Sequence, residues 1–119
     1  MKSILVADDE EILRMLVMDT IEDFGYLVDE AEDGKVALEK LEKGNYDLVI
    51  LDYMMPQLTG IEVLEKLSAE RKVSLEILML TAKTQEKDKE KMRAAGASHM
   101  MSKPFSPLEL VEYIKDIIG

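Results

Sequence analysis

The chain has 119 residues, no cysteine, and 25 Asp and Glu against 15 Lys and Arg. This length supports one hydrophobic core, so we expect one domain over residues 1–119, and the lack of cysteine excludes disulfides, thiolate metal sites and a cysteine nucleophile. The net charge of −10 disfavours direct nucleic acid binding by this domain, because such a surface repels phosphates.

The first predicted strand is Ser3–Ala7, an apolar run that meets two acids at Asp8 and Asp9. A secretory signal needs a longer apolar core, and a membrane-spanning helix needs roughly 18 apolar residues. We therefore expect a cytoplasmic protein that does not contact a membrane.

The rest of the chain alternates segments of helical periodicity with short strand-like runs. In order, the predicted elements are helix Glu10–Phe24, strand Leu27–Ala31, helix Lys35–Lys43, strand Leu48–Leu51, a helix capped by Thr59, strand Leu75–Thr81, helix Gln85–Ala95, strand Ser98–Ser102 and a helix that begins at Pro107. The second and fifth strands have a mixed composition, which suits sheet edges. Five strand–helix units in strict alternation predict a parallel sheet with helices on both faces.

Polar side chains come at the ends of four of the five strands. Asp8 and Asp9 follow the first strand, Asp52 follows the third, Thr81 ends the fourth and Lys103 follows the fifth. Each residue alone has a structural explanation, such as a helix cap for an Asp or a solvated turn for the Lys. Parallel sheets bind ligands at the carboxyl ends of their strands, so the presence of all these groups at one edge favours a functional site.

The charges at this edge indicate its chemistry. Three neighbouring carboxylates repel one another unless protonation or a cation compensates, and oxygen ligands favour a hard cation such as Mg²⁺. A lysine and a threonine can hold phosphoryl oxygens, which is typical of a phosphoryl-transfer centre. The sequence has no G-x-x-x-x-G-K-[ST] loop, which disfavours nucleotide hydrolysis. Asp52 ends the strand at the middle of the sheet and is the best-placed nucleophile for an acyl phosphate.

The combination resembles the receiver domain of two-component response regulators, including the single-domain chemotaxis type. The residues that carry the resemblance are the acid-pair motif Ile4–Glu10, the acceptor motif Leu51–Pro56, Gly60, the threonine motif Leu80–Ala82 and the lysine motif Lys103–Phe105. The resemblance implies a flavodoxin-like, doubly wound (βα)5 three-layer sandwich with a five-stranded parallel sheet of order 2-1-3-4-5. It also implies a cis peptide bond before Pro104.

The same resemblance implies how the phosphoryl group is accepted. Asp52 would take it from the phosphohistidine of a sensor histidine kinase or a histidine phosphotransfer protein. Mg²⁺ would be bound by Asp9, Asp52 and the backbone carbonyl of Met54, with Asp8 acting through a coordinated water. The domain would catalyse this transfer and its own dephosphorylation, and would not be an enzyme that turns over a small-molecule substrate.

Phosphoryl binding and switching are implied for a second group of residues. Lys103 would pair with the phosphoryl group, Thr81 would swing in to hydrogen-bond it, and backbone amides near Met54 and Ala82 would assist. Family members usually carry Tyr or Phe at the position of Met100, as the aromatic that moves with the threonine. Methionine offers neither ring nor hydroxyl. The signal would then reach an unidentified output protein or a fused effector domain.

Two segments have two interpretations each. The run Ile12–Met18 is apolar except at Arg14. It is either a broadly buried helix with scattered exposed apolar residues or, as we slightly favour, a docking surface for the phosphodonor. The segment Gln85–Lys91 has no apolar residue. It is either an ordinary solvated helix or a thinly anchored part of the output face, held mainly by Met92 and the two alanines that follow.

Two other function classes remain as alternatives. An aspartate-nucleophile phosphatase would carry a D-x-D arrangement after the first strand, which Asp8–Glu10 does not supply. A receiver-like scaffold that works without phosphorylation would typically lack one of the acids or the lysine, and this chain has them all.

Overall fold

A computed structural model describes residues 1–83 and 85–119. Its strands are β1 (Ser3–Ala7), β2 (Leu27–Ala31), β3 (Leu48–Asp52), β4 (Glu76–Thr81) and β5 (His99–Ser102). Its helices are α1 (Glu11–Asp23), α2 (Gly34–Lys43), α3 (Gly60–Lys66), α4 (Ala69–Val73), α5 (Glu86–Ala95) and α6 (Pro107–Ile118). Within these ranges, no helix combines the length and apolar character needed to cross a membrane.

The five strands form one parallel sheet of order β2-β1-β3-β4-β5. This confirms the predicted strand order and puts the two strands of mixed composition, β2 and β5, at the edges. Strand residues alternate between the two faces, so Ile4 and Val6 of β1 pack against α1 and α6, while Leu5 and Ala7 pack against α2, α3 and α5. The central strand β3 is buried along its whole length. The result is the predicted three-layer sandwich.

The helix after Thr59 is the main place where the elements differ from the sequence-based prediction. Thr59 and Glu62 form the predicted capping box. The helix ends at Lys66, because Leu67 adopts extended geometry with ψ of 136°. Ser68 then caps a separate short helix, α4, by accepting a hydrogen bond from the Arg71 amide. This segment therefore forms two helices where one was predicted.

The register of the sheet sets the carboxyl ends of the strands level with one another. Ala7 is paired with Leu51, and Asp52 is paired with Leu80. Continuing the first pairing by one residue places Asp8 beside Asp52, and Thr81 comes one residue beyond Leu80 on the next strand. The sheet therefore delivers these side chains to one edge without any loop rearrangement.

Gly60 allows α3 to approach this edge closely. The Gly60 amide donates a hydrogen bond of 2.9 Å to the carbonyl of Tyr53. A Cβ atom added at Gly60 would lie 2.7 Å from the backbone oxygen of Asp52 and 2.8 Å from the sulfur of Met79. Any side chain at this position would push the helix away from the strand end that carries Asp52.

Candidate functional site

Asp52 and Lys103 form the centre of the candidate site. The Nζ atom of Lys103 lies 3.1 Å from Oδ1 of Asp52, 3.6 Å from Oδ2 of Asp8 and 4.0 Å from Oε1 of Glu10. Asp52 is 5% exposed and Asp8 is 2% exposed. Lys103 therefore brings one positive charge to a buried pair of carboxylates, with a third carboxylate at the rim.

The predicted acid cluster is present. One carboxylate oxygen each from Asp8, Asp9 and Asp52 lie within 4.8 Å of one another. Asp8 and Asp52 are buried, whereas Asp9 is exposed, so the cluster opens to water on one side. Oxygen ligands at this spacing, with room for water, fit the coordination that Mg²⁺ prefers. The donor set contains no soft ligand that would favour a transition metal.

The electrostatics of Asp52 show that the cluster is not neutralised by the protein alone. Burial, followed by repulsion from Asp8, raises the pKa of Asp52 from 3.8 to about 6. The hydrogen bond and charge of Lys103 lower the pKa of Asp52, while Asp9 raises it further. Burial lowers the pKa of Lys103, but the hydrogen bond and charge of Asp52 outweigh burial and raise it above its ordinary value. Lys103 is thus cationic, and one cation does not offset three acids.

Asp8 is fixed at several atoms. Its amide donates to the carbonyl of Ala31 at 3.1 Å, and its Oδ1 accepts a hydrogen bond from the Glu10 amide at 2.9 Å. The other carboxylate oxygen, Oδ2, is the one nearest to Lys103. The side chain is therefore held in one orientation within the cluster.

Thr81 and Ala82 occupy the end of β4. Thr81 is buried, and its Oγ1 accepts a hydrogen bond of 2.8 Å from the Lys83 amide. Because the hydroxyl acts as acceptor in this bond, it keeps its own proton for donation to another group. Ala82 is the first exposed residue after the strand. Both residues therefore lie at the strand end where the resemblance places phosphoryl contacts.

The remaining predicted residues lie around this centre. Met54 is in the loop after β3 with its side chain 60% exposed, and the Lys103–Pro104 bond is cis. Met100 is half-buried against the layer of α2, α3 and α5. The His99 ring instead meets Tyr113 of α6 edge-on, with centroids 6.0 Å apart. The two neighbours on β5 thus face opposite sides, and His99 does not replace the usual aromatic.

Two residues near the site were not predicted as part of it. Glu10 lies near Lys103, and Arg14 is buried, with a hydrogen bond of 2.7 Å from Nη1 to the carbonyl of Asp8. The sequence indicates that Arg14 is buried, because it precedes the buried residues Val17 and Ile21 by three and seven positions. That spacing marks one helix face.

Known proteins resemble this chain over almost its entire length. Residues 4–115 match the family model of the response regulator receiver domain. The alkaline phosphatase synthesis transcriptional regulatory protein PhoP of Bacillus subtilis is 46% identical over 98% of this chain and 48% of its own length. The chain therefore spans about half of that curated relative.

Solved structures agree with the fold. The chemotaxis response regulator CheY4 of Vibrio cholerae has a TM-score of 0.93 and 34% identity, with 99% of both chains covered. The response regulator TrrA of Thermotoga maritima, solved in complex with Mg²⁺ and BeF, has a TM-score of 0.85 and 39% identity, with 99% of this chain and 100% of that chain covered.

The raised pKa of Asp52 predicts that Asp52→Asn stabilises the protein when divalent cations are removed. We expect the free energy of unfolding in urea, with a chelator at pH 7, to rise by about 1–2 kcal/mol. The shift of the Asp52 pKa from 3.8 to about 6 corresponds to a larger free energy. We expect a smaller effect because the acid cluster opens to water and ions on one side. The penalty on the charged form is absent below about pH 4, grows as the pH rises towards 6 and is complete above that. The gain should therefore vanish at about pH 4.

Asp19→Asn is the matched control, because it removes the same charge from an exposed position of α1. A surface change of this kind should alter stability by about 0.5 kcal/mol or less. Equal stability of the two variants at pH 7 would show that Asp52 carries no electrostatic penalty.

Proposed function

The chain belongs to the response regulator receiver domain family, and we propose that residues 1–119 form a receiver whose phosphoacceptor is Asp52. As a two-component signalling receiver it is modified itself and is not an enzyme with a small-molecule substrate. The observation that carries the proposal is the 3.1 Å approach of Lys103 Nζ to Asp52 Oδ1. This places a cation beside a buried carboxylate at the end of the central strand.

The proposed reaction is transfer of a phosphoryl group from a phosphohistidine. A carboxylate oxygen of Asp52 attacks the phosphorus, an O–P bond forms, and the P–N bond breaks. The imidazole nitrogen leaves with the bonding electron pair, and Asp52 becomes a mixed anhydride, the acyl phosphate. Attack requires the ionised carboxylate. With a pKa of about 6, Asp52 is largely ionised at pH 7.

Asp9, Asp52 and the backbone carbonyl of Met54 would hold Mg²⁺, with Asp8 acting through a coordinated water. The carboxylate spacing within 4.8 Å supports this assignment, as does the Mg²⁺ in the TrrA complex. At Met54 only the carbonyl is a suitable ligand, because a thioether is too soft for a hard cation. When bound, the ion would neutralise charge on the phosphoryl oxygens.

Lys103, Thr81 and backbone amides near Met54 and Ala82 would hold the phosphoryl group after transfer. Lys103 is cationic and already lies in contact with Asp52, so it would stabilise the added negative charge with little rearrangement. The Thr81 hydroxyl is buried beside the loop and retains its proton, so it can donate to a phosphoryl oxygen. We also propose that the domain promotes hydrolysis of its own acyl phosphate.

The proposed output face comprises α5 and β5. The segment Gln85–Lys91 contains no buried residue, and only Met92 and Ala95 of α5 are buried. Ala94 is exposed, so the expectation that it anchors the helix was wrong. A groove of about 290 Å³ beside Thr81 is lined by residues of α5, β5 and α6, among them Met100. Movement of Thr81 towards a phosphoryl group would thus be transmitted through Met100 to an output protein or a fused effector domain.

The proposed docking surface for the phosphodonor is the outer face of α1. Ile12, Met15 and Leu16 are 85%, 53% and 49% exposed. Their spacing of three and four residues puts them together on one helix face, which supports a docking surface over scattered exposed apolar residues. Helix α1 begins three residues after Asp8, directly beside the acid cluster. An exposed apolar patch at this place fits an apolar helix face of a sensor histidine kinase or of a histidine phosphotransfer protein.

Phosphorylation by acetyl phosphate and Mg²⁺ tests the assignment of Asp52. Intact-mass spectrometry should show one added phosphoryl group in the wild-type chain and none in Asp52→Ala or without Mg²⁺, since both the nucleophile and the compensating cation are required. Absence of an adduct in the wild-type chain would favour the phosphorylation-independent scaffold. Steady release of phosphate without an adduct would favour a phosphatase.

Met15→Glu tests the docking surface. We expect phosphotransfer from a phosphorylated sensor histidine kinase to slow about tenfold or more, because a buried charge at an apolar contact costs on the order of 1–3 kcal/mol. Labelling by acetyl phosphate should not change. Val73→Glu is the matched control, since Val73 is 88% exposed on α4. Equal transfer to both variants would mean that this face of α1 is not the docking surface.

Amide hydrogen exchange tests the output face. In the wild-type chain with Mg²⁺, addition of the phosphoryl mimic BeF₃⁻ should change exchange in α5 and β5 more than in α2 or β2, because α5 has few buried anchors. Asp52→Ala with the same additions is the control and should show no difference. A change spread evenly over all helices would contradict a localised output face.

A further inference from the structure

Arg14 is a buried cation for which the proposed phosphotransfer has no role. It is 8% exposed, although α1 around it carries apolar residues on its outer face. Its Nη1 donates a hydrogen bond of 2.7 Å to the backbone carbonyl of Asp8, and its Nε donates one of 2.9 Å to Oε1 of Glu30 on the edge strand β2. Arg14 therefore connects α1 and β2 to the loop that carries the acid pair.

These contacts complete the fixation of Asp8. Its amide is bound by Ala31 of β2, its Oδ1 accepts from the Glu10 amide, and its carbonyl accepts from Arg14. Removing the guanidinium would leave a buried carbonyl without its donor, and the peptide plane between Asp8 and Asp9 would be free to rotate. Because both carboxylates depend on that plane, a small rotation would separate the oxygens of the cluster.

We infer that Arg14 is a positioning residue for the Mg²⁺ site, acting through the backbone carbonyl of Asp8. This inference rests on the proposed metal site. Partners that orient metal ligands without touching the ion typically contribute 10–100-fold to metal affinity. The guanidinium carries its own counter-charge in Glu30, so its direct repulsion of a bound cation is partly cancelled.

The sign of the effect separates positioning from simple electrostatics. If Arg14 acted only through its charge, removing it would make the cluster more negative and would tighten Mg²⁺ binding. If it acts by holding Asp8, removing it weakens Mg²⁺ binding despite the loss of a positive charge. Lys103→Met calibrates the charge effect, because it removes one positive charge from the same cluster without touching the Asp8 carbonyl.

The experiment is a Mg²⁺ titration of the full chain, followed by amide NMR at constant ionic strength. We expect Arg14→Met to raise the dissociation constant about tenfold, Arg14→Lys to raise it about threefold because lysine lacks the two-pronged donor, and Lys103→Met to lower it. Glu30→Gln keeps an acceptor for Nε and should stay within about twofold of the wild type. Without Mg²⁺, the Glu10 amide should exchange faster in Arg14→Met, while amides of β3 should not.

Arg14→Met that binds Mg²⁺ as tightly as the wild type, or more tightly, overturns the inference. If that variant does not fold, Arg14→Lys decides, and wild-type affinity in Arg14→Lys overturns it. A wild-type chain that binds no Mg²⁺ would instead contradict the proposed metal site itself, and the inference with it. The two failures are therefore distinguishable in one set of titrations.

Discussion

The repulsion among three carboxylates at one edge of the sheet is the constraint on which the rest of the site depends. The fold buries Asp52 and places it beside Asp8, and burial first, then repulsion from Asp8, raise the pKa of Asp52 to about 6. Lys103 compensates for only part of this charge. The site therefore has an unfavourable electrostatic energy that a divalent cation would relieve, and that cation together with Lys103 would then compensate the negative charge of a phosphoryl group.

The burial of apolar side chains in the sheet stabilises the fold against this repulsion. All of β3 is buried, and the alternation along β1 and β4 fills two separate core layers. Such a core fixes the register of the strands, since a slip of one residue would move every side chain of a strand to the opposite face of the sheet. Because the register is fixed, the strand ends cannot move apart to lower the repulsion. Gly60 adds to this by letting α3 pack directly against the strand end at Asp52.

Much of this could be predicted from the sequence, because strand ends are visible as sharp changes from apolar to polar residues. Asp52, Thr81 and Lys103 were assigned in this way. The alternating parallel fold was confirmed, as was the strand order that the family resemblance implied. What could not be predicted depends on contacts between distant segments. Arg14 was taken as an exception in an apolar run, since its partners on Asp8 and Glu30 become visible only when α1 packs on the sheet. The break between α3 and α4 at Ser68 was also not predicted. The residues that follow Ser68 are mostly polar, so no apolar periodicity marks where one helix ends and the next begins.

Met100 determines which physical interactions could couple β5 to the site in the proposed mechanism. A tyrosine at this position could be held in place by a hydrogen bond from its hydroxyl. Methionine has no such bond, so its position is set by packing against Met79, its partner across the sheet, and against the layer that includes α5. Packing is non-directional, and the unbranched thioether has several rotamers of similar energy. In the proposed mechanism, the coupling from Thr81 to β5 would therefore arise from a change in occupied volume beside α5, a helix with only two buried residues, rather than from the exchange of one hydrogen bond for another.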